Sequence, residues 1–173
     1  LRRPPFPRGR SIWPALALLG IINTALPFVL ISWGQKTIDS AVASILNSTV
    51  PLFTMVIAHF ALHDEPITAR KAVGLLIGFG GVSALMARDL EAGSLGVGIL
   101  GQAAVLLAAA SYASASVFAR RTMREVSPLV QAFVPMAIAD AIVWTAATQV
   151  GNPGRLPALP LTWVALLWLG LLG

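Results

Sequence analysis

The 173-residue chain contains no cysteine, which excludes disulfide bonds, thiolate metal sites and a cysteine nucleophile within it. Charged residues are also scarce, at 11% of the chain against about 25% in ordinary soluble domains. Seven carboxylates stand against twelve basic residues, which gives a net charge of +5. The basic residues form no continuous stripe and are not interleaved with aromatic rings, so nucleic-acid binding is not indicated.

Six apolar stretches, separated by short charged or turn-rich joints, fill the chain instead. A helix needs about 20 residues to cross about 30 Å of hydrocarbon, and most of the stretches reach that length. The predicted helices are 12–35, 40–62, 69–87, 95–119, 127–149 and 160–173. The sequence therefore predicts an all-α fold, a polytopic transmembrane helix bundle with six helices present.

The positive charges fall mostly in alternate joints. Nine of the twelve basic residues lie in the N-terminal segment 2–10 and in the joints at 70–71 and 120–124. The other joints hold only Lys36, Arg88 and Arg155. Because short loops rich in Lys and Arg stay on the cytoplasmic side, we predict a multi-pass protein of the cytoplasmic (inner or plasma) membrane with its N-terminal end inside.

The first and last apolar stretches share a pattern at an offset of 150 residues. Trp13 coincides with Trp163 and Gly20 with Gly170, with three Ala or Leu matches between them. Leu and Ala match easily in membrane helices, so chance and internal duplication both remain open. In a true duplication the unit would have five helices, and this odd number would invert the second copy in the membrane. Inverted repeats are typical of transporters whose site lies between the halves near mid-membrane.

The segment 40–86 carries a resemblance to a known family. A small-residue helix with an internal Pro51-Leu52-Phe53 is followed by Glu65 at the predicted cytoplasmic end and then by the glycine-rich stretch Gly74–Val82. This order resembles the end of an EamA domain of the drug/metabolite transporter (DMT) superfamily. The stretch 101–121 resembles the opening of a second such domain. Tyr112 stands where Trp is common, and an Asp precedes the Glu where Gly is frequent.

The resemblance implies two inverted repeats of five helices, of which this chain would carry helices three to eight. Residues 1–91 would be the C-terminal part of the first EamA repeat and 92–173 the N-terminal part of the second, so both ends are expected to be cut. It also implies a secondary transporter that moves a small metabolite or drug-like solute by alternating access. No enzyme activity and no cofactor are expected. The expected partners are a small-molecule substrate and the lipid bilayer, without nucleic acid and with a homodimer left open.

The alternative is a non-transporting six-helix integral membrane protein, such as an intramembrane enzyme or an assembly subunit. An enzyme needs a reactive group beside a base or a metal, and the sequence shows no such pair. His59 and His63 are four residues apart but lack a third ligand at catalytic spacing, so no metal site is predicted. No ATP-binding motif is present, so a transporter would draw on a gradient or on exchange.

The candidate substrate-binding residues are polar groups inside the apolar runs. In the second predicted helix they repeat on one helical face, at Ser44, Asn47, Ser48 and Pro51. In lipid such a face must turn inward, either for tight helix packing or to line a cavity. Pro51 also frees a backbone carbonyl about one turn upstream, which could accept a hydrogen bond from a substrate.

Four further candidates lie in other helices. Asp140 is the only carboxylate inside any predicted span, and a charge at that depth costs about 3 kcal/mol or more. It is expected to be protonated, to pair with a residue of a helix outside this chain, or to carry coupling protons. The alternative is a neutral acid hydrogen-bonded to a neighbouring helix. Asn23 and Thr24 lie near the middle of the first helix, and Tyr112 lies in the fourth. For these three residues, packing and cavity lining are both open.

Overall fold

The computed structural model describes residues 12–62, 64–91, 97–150 and 160–172, and every regular element in these ranges is helical. The helices in chain order are α1 (Ile12–Gly34), α2 (Ser40–Ala61), α3 (Ala69–Glu91), α4 (Val97–Thr122), α5 (Pro128–Val150) and α6 (Pro160–Leu172). The predicted all-α bundle of six helices is confirmed.

The helix ends differ from the predicted ones by a few residues. The largest differences are in α3 and α4, which continue to Glu91 and Thr122 through charged residues. A helix that leaves the lipid can continue in water, where charged side chains are tolerated. The N-terminal basic segment, His63, residues 95–96 of the fourth predicted helix and the joint with Arg155 lie outside the described residues.

Four helical segments in the described ranges are long and apolar enough to cross a membrane. They are Ile12–Gly34, Ser40–Ala61, Gly98–Thr122 and Pro128–Gln149. Large apolar side chains lie exposed along the helices, among them Phe60, Leu76 and Phe133. Exposed apolar surface of this extent is typical of a protein that contacts lipid rather than water.

Within the part of the chain up to Asp140, α4 is the central helix. Both halves of α1, both halves of α2, and α3 all pack against it. It is the least apolar of the four spans but the most buried, because it is rich in alanine, serine and glycine. Ala108, Ala109 and Ala113 are completely buried. Small side chains let neighbouring helix backbones approach closely, which places this helix in the middle of the bundle.

The close approach is clearest where the end of α1 meets α4. A Cβ atom on Gly34 would lie 2.7 Å from the carbonyl oxygen of Gly101, closer than real Cβ contacts. A Cβ atom on Gly101 would in turn collide with Oγ1 of Thr37. That hydroxyl donates a hydrogen bond to the carbonyl of Gly34 at 3.0 Å. Only glycine at both positions allows these two backbones to touch.

Apolar side chains fill the space beside these contacts. Near the start of α1, Leu16 and Leu19 pack in one cluster with Met123, the first residue of the joint between α4 and α5, and with Val130 in the first turn of α5. The backbone of α1 also meets α5 closely, since a Cβ on Gly20 would collide with the Pro135 carbonyl oxygen.

A second cluster joins α2, α3 and α4. Its buried members are Ala43 and Leu46 of α2, Val82 of α3 and Val105 of α4. The face of α2 that carries Ala43 and Leu46 is therefore the one directed into the bundle.

Residues from Ala141 onward form a second compact unit, made of the C-terminal part of α5 and of α6. The hydroxyls of Thr145 and Thr148 donate to carbonyls of their own helix, at Ala141 and Thr145. These polar groups are thus satisfied locally, as an apolar environment requires.

Candidate functional site

The middle of α1 departs from α-helical geometry. Residues Ile21–Ala25 form a turn of π-helix, and the N–H of Leu26 donates to the carbonyl of Ile21, five residues back. Pro27 follows and has no N–H to offer the carbonyl of Ile22. That carbonyl instead accepts a hydrogen bond of 2.7 Å from the hydroxyl of Ser111 on α4.

Asn23 and Thr24 lie inside this π turn. The side chain of Asn23 is exposed and that of Thr24 is half-buried. Turns of π-helix inside α-helices are frequent at functional sites, because they change the direction of side chains and the pairing of carbonyls. The π turn itself was not predicted, although Pro27 was the signal in the sequence for an irregularity here.

A second irregularity lies in α2. Ser48 and Thr49 form a turn between the helical segments Ser40–Asn47 and Val50–Ala61. Both hydroxyls donate to backbone carbonyls three residues back, Ser48 to Ile45 and Thr49 to Leu46, each at 2.6 Å. Such local bonds compete with the helical pattern. Pro51 sits in the first turn of the second segment, where its missing N–H is tolerated.

The predicted polar face of α2 lies beside this break. Ser44, Ser48 and Pro51 are exposed, on the side of α2 that is not directed into the bundle. Asn47 ends the first segment, and its Oδ1 atom is buried without a hydrogen-bond partner among the described residues. Leaving a buried acceptor unpaired costs about 1–3 kcal/mol, so a hydrogen-bond donor that reached this atom would be favoured.

The remaining predicted site residues lie apart from this break. Tyr112 is half-buried on α4, and Asp140 is exposed on α5 and has no ion pair within the described ranges. Of the eight predicted site residues, Pro51 lines the cavity described next, and the other seven do not.

This cavity of about 470 Å³ lies along the second segment of α2 and reaches the joint between α2 and α3. One end is charged and the rest of the wall is mainly apolar. Its lining residues are Val50, Pro51, Thr54, Met55, Ala58, Glu65, Lys71 and Arg120.

A cluster of ion pairs forms the charged end. Arg120, near the end of α4, donates from Nη1 to Oε1 of Glu65 at 2.6 Å and from Nη2 to Oδ2 of Asp64 at 3.0 Å. Lys71 at the start of α3 donates to Oε2 of Glu65 at 3.4 Å. Hydrogen bonds from Arg120 first, and then from Lys71, lower the pKa of the Glu65 carboxyl below its ordinary value.

The partners of Glu65 were not predicted from the sequence. Glu65 was singled out by the family pattern, but Arg120 lies 55 residues further along the chain. The available signal was topological, because the joints at 64–71 and 120–124 were both predicted on the cytoplasmic side. Opposite charges on the same side of a membrane protein are candidates for pairing.

No cluster of His, Asp or Glu suited to a metal ion occurs in the ranges that the structure describes. His59 has a different contact there. Its Nδ1 atom accepts a hydrogen bond of 3.3 Å from the backbone N–H of Ile67 and thus ties α2 to the joint that follows it.

Comparison with known proteins gives the family. The sequence pattern of the EamA-like transporter family matches residues 1–87. The "Uncharacterized transporter YoaV" of Bacillus subtilis (strain 168) is 29% identical over 100 residues, 56% of this chain and 32% of the relative. The "Uncharacterized transporter YdfC" of the same strain is 30% identical over 112 residues, 65% of this chain and 35% of the relative.

A third relative is an "Uncharacterized transporter" of Archaeoglobus fulgidus, 35% identical over 69 residues, which are 40% of this chain and 25% of the relative. The aligned regions thus span between 25% and 35% of the relatives' lengths. No solved structure matches the chain. The family match covers half of the sequence and agrees with the four apolar spans, and the chain belongs to the EamA-like transporter family of multi-pass membrane proteins.

Proposed function

We propose that this chain is part of a secondary transporter that moves a small metabolite or drug-like solute across the cytoplasmic membrane by alternating access. Membership of the EamA-like transporter family supports the general activity. The observation that carries the finer proposal is the pair of helix irregularities, one in α1 and one in α2, each with polar side chains beside it. In transporters, interrupted membrane helices supply the backbone groups that bind substrates and ions.

The α2 break offers such groups. Asn47 Oδ1 has no partner in the described ranges, and Pro51 has no N–H with which to pair the Asn47 carbonyl four residues earlier. Both acceptors lie at the end of one short helix. A substrate that donates hydrogen bonds would satisfy them, whereas a lipid chain would not.

Ser44, Ser48 and Pro51 of α2 and Asn23 of α1 are exposed in the described part of the chain. Polar groups at mid-depth cannot face lipid without cost, so we propose that they face a water-filled cavity shared with other helices of the whole protein. Asp140 would border the same cavity and carry the coupling proton. Thr24 and Tyr112 are proposed as further lining residues.

The larger architecture is also a proposal. Residues 1–91 would close a first five-helix repeat and 92–173 would open a second, inverted one, which gives ten helices in the whole protein. The family match to residues 1–87 supports the first boundary. These 173 residues contain no ATP-binding motif, and we propose that transport is driven by an ion gradient or by exchange. The protein would act in the bilayer alone or as a homodimer.

Solute uptake by the full-length protein in sealed vesicles tests the proposal. A panel of amino acids, organic acids, amines and nucleosides should include at least one solute whose uptake depends on the protein. Asn47→Ala should then lower that uptake at least about tenfold, because it removes an acceptor from the site. Ser116→Ala is the matched control, since its hydroxyl is exposed and donates to Ala113 within α4. Unchanged uptake in Asn47→Ala would contradict the site, and no uptake of any solute would contradict the function.

A further inference from the structure

The cavity at the α2–α3 joint combines an apolar wall with a charged end. Val50, Met55 and Ala58 supply apolar wall, and the hydroxyl of Thr54 already donates to the carbonyl of Val50 at 2.8 Å. A volume of about 470 Å³ lies within the range of about 300–1,000 Å³ that small-molecule sites have. The cavity therefore has the size of a small-molecule site. The charged side chains that could orient a ligand lie at one end of it only.

At the charged end of the cavity, the hydrogen-bond donors that remain for a ligand belong to cationic side chains. Both carboxylate oxygens of Glu65 are occupied, Oε1 by Arg120 and Oε2 by Lys71. Arg120 in turn uses both terminal nitrogens, one on Glu65 and one on Asp64. A cationic ligand would have to displace Arg120 from two carboxylates that it holds at 2.6 and 3.0 Å.

Lys71 is held much less firmly. Its ammonium has three donors, and its two contacts, to Glu65 and to the carbonyl of Pro66, are both 3.4 Å long. Its side chain is 41% exposed. It also lies in the first turn of α3, which contains no acidic residue and where the helix dipole adds positive potential; Glu65 is the one carboxylate that contacts it among the described residues.

We propose that this cavity binds a small organic anion, with the apolar body of the ligand against Val50 and Met55 and its anionic group on the ammonium of Lys71. The inference rests on the proposed transport function and adds a second ligand site, which shares only Pro51 with the proposed substrate-binding residues. Glu65 excludes a second anionic group and keeps Arg120 in place. Both carboxylates of the cluster are already paired with Arg120 or Lys71, so the loosely held ammonium of Lys71 is the group left for a ligand, and it selects for one anionic group.

Protection of an introduced cysteine measures this binding without any need for transport. The reporter is Met55→Cys in the full-length protein, with Val50→Cys as a second reporter on the same wall. The 173 residues contribute no other cysteine, and any cysteine elsewhere in the protein is replaced by serine. The rate of maleimide labelling is then followed with benzenesulfonate, benzyltrimethylammonium or benzyl alcohol, which share a ring and differ in charge.

Benzenesulfonate should slow labelling in a saturable way, and the cation and the alcohol should not. Lys71→Gln should weaken the benzenesulfonate protection about tenfold, the usual effect of losing a charge-assisted hydrogen bond. Lys71→Arg should retain most of it. Arg70→Gln is the matched control, because Arg70 is exposed in the same helical turn and does not line the cavity.

Equal protection by the cation or the alcohol, unchanged protection in Lys71→Gln, or no protection by any probe would overturn the inference. Its failure is distinguishable from failure of the proposed function. A protein that transports neutral or cationic solutes but shows no benzenesulfonate protection is still a transporter. A protein that binds benzenesulfonate through Lys71 but transports no solute supports the site and contradicts the function.

Discussion

The hydroxyl of Ser111 donates a 2.7 Å hydrogen bond to the carbonyl of Ile22, across the interface between α4 and α1. The carbonyl needs this donor because the π turn directs the Leu26 N–H to Ile21 and Pro27 has no N–H. Ser111 is 8% exposed, so water has little access to the bond. A side chain of the central helix therefore stabilises the irregular turn that contains Asn23 and Thr24.

The first prediction concerns this bond. Ser111→Ala should lower the free energy of unfolding by about 0.6 kcal/mol, the average for hydrogen bonds between membrane helices, and by no more than about 1.7 kcal/mol. Reversible unfolding in mixed detergent micelles measures the loss. Ser114→Ala is the matched control, since its hydroxyl donates to Ala110 of its own helix and joins no second helix. Equal losses in the two variants would contradict a special role for Ser111.

The second prediction concerns the contact between Gly34 and Gly101. Gly34→Ala should destabilise the protein by about 1–3 kcal/mol, because the added methyl group would meet backbone rather than a movable side chain. Gly80→Ala should be neutral or slightly stabilising, since a Cβ there meets no atom within 4 Å and alanine favours a helix. Thermal unfolding of both variants measures the difference. Greater destabilisation by Gly80→Ala would refute the packing argument.

The third prediction concerns pH. The pKa of Glu65 is lowered in the folded protein by Arg120 and then by Lys71, so the ionised carboxylate stabilises the fold at neutral pH. This contribution is present above the ordinary carboxyl pKa and is lost as the pH falls through the lowered one. Glu65→Gln should therefore have a flatter dependence of stability on acid pH than the natural protein. Parallel pH profiles would contradict the linkage.

The fourth prediction concerns orientation. A cysteine in place of Lys36 should react with an impermeant thiol reagent from outside the cell, and one in place of Thr68 should react only after the membrane is opened. Both positions are exposed in the joints after α1 and α2, and the bias of basic residues toward alternate joints decides the side. The reverse pattern would overturn the topology and, with it, the inverted repeat.

The fifth prediction concerns coupling. Asp140→Asn should abolish accumulation of the substrate driven by a proton gradient but leave exchange of labelled for unlabelled substrate intact, because only accumulation needs a titrating group. Glu125→Gln, an exposed carboxylate in the joint between α4 and α5, is the matched control. Full accumulation by Asp140→Asn would remove this residue from the proposed site.

How far the sequence predicts this protein depends on the kind of interaction. Helix lengths follow from the thickness of the bilayer and the spacing of charged joints, so the ends of α1 and α2 were predicted to within one residue. The family pattern consists of residues that are close together in the chain, so it could also be recognised from the sequence. The polar face of α2 was also recognisable, because helical periodicity alone defines it.

Contacts between residues that are far apart in the chain could not be predicted from the sequence. Ser111 with Ile22 and Arg120 with Glu65 join residues 89 and 55 positions apart. In the sequence, Ser111 is one hydroxyl in a helix of small residues, and Arg120 is one charge in a predicted joint. Both contexts are common.

The sequence by itself determined that the chain is a helical membrane protein, because hydrophobic length and charge placement act residue by residue along each segment. The tertiary structure decided which helix lies at the centre, where α1 and α2 are irregular and which charges meet. These features arise because glycines let two helix backbones approach closely, and because carbonyls left unpaired within one helix accept hydrogen bonds from another. Such interactions depend on distances in space, which hydrophobic patterning does not encode.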